Sequence, residues 1–146
     1  MLTDVSELEN RYKIFIEKVV EQDAIFMLQQ GDELTILDSV LFDNMEMVPF
    51  FSEATIAAAA RQQDWESFEI VRIPLADFLT KWTIWMYQED LLVAGIWSAP
   101  LVGKEFEPLE LAIDIAVALK EKGTYPLEKY GDINNYLNEI FKVLKG

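Results

Sequence analysis

Residues 91–97 read Leu91-Leu92-Val93-Ala94-Gly95-Ile96-Trp97, an unbroken apolar run. It is too short for a membrane helix, which needs about 20 residues. It has no polar alternation, so it reads as a strand covered on both faces. A strand of that kind needs a sheet around it and helices on either side. The neighbouring segments supply both.

Upstream, Ala24 to Gln30, Leu34 to Leu41 and Glu46 to Phe51 read as strands, with turns at Gly31-Asp32 and Asp43-Asn44. Phe68 to Ile73 alternates apolar positions with Glu69 and Arg72, as a half-exposed strand does. Helices are expected over residues 4–22, 52–63, 75–89, 108–122 and 132–144. Val5, Leu8, Tyr12, Phe15, Ile16 and Val19 share a face of the first, where Ser6 and Glu9 offer a capping box. Ser52 is the expected N-cap of the second. Pro108 and Gly123 bracket the fourth, and Pro100 to Phe106 reads as a loop. The last carries Ile133, Tyr136, Leu137, Ile140, Phe141 and Leu144 on one side. The order αβββαβαβαα predicts an α/β (α+β) fold, a mixed sheet of about five strands packed by helices. Residues 1–123 are expected as one domain, with 124–146 a helical extension packed on it or on a dimer mate.

The 146 residues are 51% hydrophobic, which favours a real core over disorder. Met1-Leu2-Thr3-Asp4 lacks the basic and apolar stretches of a signal peptide, so the cytoplasm is the expected compartment. The net charge is −14 and is unevenly spread. Between Glu21 and Glu69, eleven acids face one base, Arg61, so that stretch alone carries −10. A field of that sign repels nucleic-acid phosphates and anionic membranes and attracts a basic protein.

The chain has no histidine and no cysteine. The commonest general base and zinc ligand is thus missing, as are thiol nucleophiles, disulfides and iron–sulfur ligation. No phosphate-cradling glycine motif occurs. Composition leans away from an enzyme and assigns no catalytic residue, metal ligand or cofactor. What remains is carboxylate chemistry: Asp38, Asp43 and Glu46 cluster at one strand connection and could share a divalent cation, or simply solvate a turn. Glu105 and Glu107 read as structural. Trp82 and Trp85, with Tyr87, could form a stacking surface, although their helical spacing with Leu75, Phe78 and Leu79 equally suits a core stripe.

Several segments carry a family resemblance: Arg11-Tyr12-Lys13 with Phe15, Val48-Pro49-Phe50-Phe51-Ser52, Trp65, Ile73-Pro74-Leu75, Phe78-Leu79, Trp82, Leu92-Val93 and Trp97. Over residues 11–120 the chain resembles bacterial domain-of-unknown-function family 2750. In that pattern a Trp often stands at the place of Phe51, and a Gly often precedes the last strand where Glu89-Asp90 stand. A weaker similarity is to the N-terminal domain of SseB-like secretion proteins, which implies protein interaction. The family implies fold-mates and no activity.

Three functions are expected on these grounds. The first is a non-enzymatic, regulatory or immunity-like module that binds a basic partner through Asp38, Asp43, Glu46 and Trp85. The second is a homodimer built on the terminal helix. The third is a carboxylate- or metal-dependent hydrolase.

Overall fold

The structure is a computed structural model, described over residues 5–99 and 101–145. Strands are β1 (Ala24–Gln30), β2 (Glu33–Leu34), β3 (Leu37–Asp38), β4 (Glu46–Phe51), β5 (Glu69–Pro74), β6 (Leu92–Ser98) and β7 (Val102–Phe106). They form one mixed, seven-stranded sheet. β8 (Pro126–Leu127) and β9 (Gly131–Asp132) make a separate short hairpin. Helices are α1 (Val5–Gln22), α2 (Ala54–Ala60), α3 (75–88), α4 (Pro108–Glu121) and α5 (Ile133–Lys145). The expected mixed α+β architecture is present.

β4 and β6 lie side by side and parallel, and β1, β5 and β7 extend the sheet antiparallel. β5 occupies the far edge of β1. On the other edge β1 meets β4 only at Phe26 and Phe51, after which the short strands β2 and β3 separate them. The strand expected over 34–41 is thus broken in two, and residues 40–44 turn away from the sheet.

Alternate residues of the central strands enter two cores. Ile25, Met27, Val48, Phe50 and Val93 join Phe15, Leu79, Met86, Ile115 and Tyr136, under α1, α3, α4 and α5. Phe26, Leu28, Met47, Phe51, Leu92, Ala94 and Ile96 face the opposite way, toward Ala57 and Ala60 of α2, with Phe68 and Trp65. One face therefore carries a thick helical layer. The other carries a seven-residue helix.

Several local expectations change. α1 already includes Val5, so Ser6 lies inside the helix rather than at its cap; Asp4 lies outside the described residues. Ser52 is not the cap of α2, because its N–H continues the sheet to the Ile96 carbonyl at 3.1 Å; Glu53 occupies that position without a side-chain bond. The loop expected over 100–106 is an edge strand from Val102, and Pro100 itself lies outside the described residues. The exposure of Val102-Gly103-Lys104, with Pro100 and Gly103 reading as loop signals, concealed it. A Cβ at Gly103 would stand 1.8 Å from the Gly95 carbonyl oxygen, so only glycine lets β7 close on β6. Asp90 takes φ +56 before β6, a left-handed conformation that favours glycine.

The terminal helix buries Ile133, Tyr136, Leu137 and Ile140, while Phe141 and Leu144 stay exposed. Tyr136 reaches α3 where Phe78–Trp82 form a π-helical turn. There the Thr83 N–H passes over Leu79 to bond Phe78. The Leu79 carbonyl accepts instead from the hydroxyls of Tyr136 and Thr83, each at 2.8 Å.

Two more tyrosines tie distant parts of the chain together. Tyr12 donates to Asp114 of α4, and Tyr125 donates to Asp23 at 2.6 Å. Burial, followed by the adjacent carboxylate, raises both phenols well above the ordinary value of 10.0; burial does the same for Tyr136. The folded state therefore retains protons that the unfolded chain loses near pH 10, so stability falls as pH rises beyond that point. Urea midpoints should stay level from about pH 7 to 9, with no histidine to titrate, and then drop above about pH 10. Phe at positions 12 and 125 should shallow the drop, read by circular dichroism.

Candidate functional site

The thinly covered sheet face leaves a groove beside α2. Met47, Ala94 and Ile96 form its floor, and Leu37, Val40, Leu41 and Leu101 its walls, around about 350 Å³. A second hollow, of about 450 Å³, shares Leu37 and Leu101 and runs on toward Ala60 and Trp65.

Over this groove hangs the β3–β4 loop, residues 39–45. The Ser39 N–H to Met45 carbonyl bond, 2.9 Å, closes its base. Asn44 turns the chain with φ +62. Glu105, on edge strand β7, reaches across to hold it. One oxygen of its carboxylate accepts from the Ser39 hydroxyl, and the other accepts from the N–H groups of Val40 at 3.2 Å and Leu41 at 3.1 Å. The Ser39 hydroxyl oxygen accepts in turn from the Phe42 N–H at 3.0 Å. Five hydrogen bonds thus fix a loop whose tip side chains face water: Val40 is 87% exposed, Leu41 67% and Phe42 48%. Floppy loops expose apolar residues by accident. This one is fixed in the exposed state by a carboxylate from another strand.

The acids singled out from the sequence frame this loop. Asp38 and Glu46 are direct cross-strand partners at its base, and Asp43 sits near its tip. All three are exposed, and none is in an ion pair among the described residues. Two like charges facing each other across a strand pair cost stability, a cost that folding alone does not require. Among the described residues no group of three or more carboxylates is placed to hold a metal ion together. Trp85 lies elsewhere, in a cavity with Trp82, Gln29, Asp32, Leu34 and Lys81.

Sequence reasoning missed the Val40-Leu41-Phe42 tip, because apolar residues there read as the end of a strand. It also missed the clamp, because Glu105 is 64 to 66 positions from the residues it holds. The one available signal was the polar Asp43-Asn44 pair, which argued for a turn but not for what the turn displays. Glu105→Ala should free the loop without unfolding the sheet. The Val40 and Leu41 amides should then exchange with solvent about tenfold faster, the loss of roughly one to two hydrogen bonds, in a residue-resolved exchange measurement.

No helix among the described residues is long and apolar enough to cross a membrane. No curated protein and no solved structure is detectably similar to the chain. Residues 12–115 match the family described as "Protein of unknown function (DUF2750)". They run from the tyrosine that meets Asp114 to the middle of α4, taking in the whole seven-stranded sheet, the β3–β4 loop and Glu105, and the chain belongs to that family.

Proposed function

We propose that the chain is a non-enzymatic binding module, regulatory or immunity-like, which holds a basic partner protein on the β3–β4 loop. The observation that carries this reading is the Glu105 clamp, which keeps Val40, Leu41 and Phe42 exposed. Fully burying such a side chain is worth about 1.5–3 kcal/mol, so three of them can anchor an interface. Asp38, Asp43 and Glu46 form a polar rim and select for positive charge. The same rim disfavours anionic lipid as the apolar tip's target. Nucleic acid is disfavoured on the same ground.

Capture from native lysate on three immobilised baits tests this reading. The baits are wild type, Leu41→Ser/Phe42→Ser, and Asp38→Asn/Asp43→Asn/Glu46→Gln. All changed positions are exposed, so thermal midpoints should stay within a few degrees. One basic protein should bind the wild type, be lost from both variants, and be released as salt rises above about 0.15 M. Equal capture by all three baits, or capture indifferent to salt, would overturn the reading.

Phe141 and Leu144 favour a second reading, self-association through α5. They lie three residues apart on one side of the helix, 44% and 45% exposed. If this holds, light scattering should give a dimer mass for the wild type and a monomer mass for Phe141→Glu/Leu144→Glu. Identical masses would rule it out.

A further inference from the structure

The cavity beside α3 is built differently from the groove. Trp82 and Trp85 meet at 88°, with ring centroids 6.2 Å apart, and form two walls of a corner. Gln29, Asp32 and Leu34 of the β1–β2 hairpin form the facing side of an open hollow of about 450 Å³. That volume falls in the range of sites for small ligands or single side chains. Trp82 is braced from behind by Phe50, edge to face at 6.2 Å and 76°. The π turn fixes its direction, since an extra residue in one turn rotates every later side chain by about 100° around the axis. Trp82 is therefore held in place before any ligand arrives. Trp85 lines the hollow while staying 38% exposed, unlike its neighbours Leu79 and Met86, which are fully buried.

The electrostatics set the ligand's sign. Indole faces attract cations more strongly than any other side-chain ring. Asp32 adds a carboxylate that is in no ion pair among the described residues. Lys81 also lines the cavity, but its ammonium pairs with Asp77 one turn back at 3.5 Å, and its side chain is largely in solvent. The net charge of −14 draws cations to every approach. A flat, delocalised cation stacks on one indole, meets the second edge-on, and donates to a carboxylate and an amide oxygen in its own plane. Ammonium, compact and strongly hydrated, uses this geometry less well.

We infer that Trp82, Trp85 and Asp32 form a receptor corner for a guanidinium group on an alkyl stem. The group comes either from free arginine or from an arginine residue within a peptide. The corner shares no residue with the β3–β4 loop, so either assignment can fail without the other.

The test monitors the indole N–H signals of ¹⁵N-labelled protein during titration. Trp65 and Trp97 serve as internal controls, because neither lines this cavity. The probes are N-acetyl-arginine-N-methylamide, free L-arginine, the lysine analogue, and N-acetyl-citrulline-N-methylamide, the neutral isostere of arginine. The capped arginine should shift Trp82 and Trp85 only. Citrulline and lysine should bind at least about tenfold more weakly. Free arginine binding as tightly as the capped form supports a small-molecule source; weaker binding supports a peptide source. Asp32→Asn and Trp85→Leu should each weaken binding about tenfold, while Lys81→Met, which removes a competing charge, should tighten it. Asp32→Asn lies on an exposed turn and keeps the test decisive if Trp85→Leu fails to fold. Equal binding of citrulline, no shift with either arginine form, or no effect of Asp32→Asn would overturn the assignment.

Discussion

Three central strands must be buried on both sides, and the rest of the molecule is arranged around that constraint. Along β4, Phe50 goes into the thick helical layer and Phe51 into the thin one, so two adjacent residues belong to separate cores. The parallel pairing of β4 and β6 makes this possible, because the crossover between them places α2 on one face and α3 on the other. The cover is unequal. α1, α3, α4 and α5 share one face, while seven residues of α2 hold the other. The groove below the β3–β4 loop is the part of the sheet that α2 does not reach.

This architecture was legible wherever burial dictated the pattern. The all-apolar 91–97 run implied two covering layers, and the helices with strong apolar periodicity fell within a residue or two of their expected ends. What escaped was whatever depended on partners distant in sequence. β7 is exposed over its first three residues, and its strand character comes from Gly103 lying against Gly95. Ser52 looks like a cap in isolation, but its N–H is taken by Ile96. The site was half legible: the acids were visible as charge, while the apolar tip they surround needed Glu105 to give it a fixed position.

The π turn in α3 illustrates how tertiary contacts can offset a local irregularity. Its geometry diverts the Thr83 N–H from the Leu79 carbonyl. A carbonyl left bare in a core would cost about 1–3 kcal/mol. Thr83 supplies one hydroxyl from the same helix, and Tyr136 supplies another from the far end of the described chain. The turn that orients Trp82 and the helix that ends the described chain are thus parts of one arrangement.

That arrangement has a consequence for how the protein is made. Leu79 and Tyr136 are separated by 57 positions, and the core beneath α3 and α4 also needs Leu127, Ile133 and Ile140. During synthesis, Phe78, Leu79 and Met86 leave the ribosome long before the residues that cover them. Contacts this distant in sequence form late and slow the search for the native state. The emerging chain therefore carries an open apolar face until the segment around residue 140 has left the ribosome, and its wait for closure is the interval in which a chaperone would act.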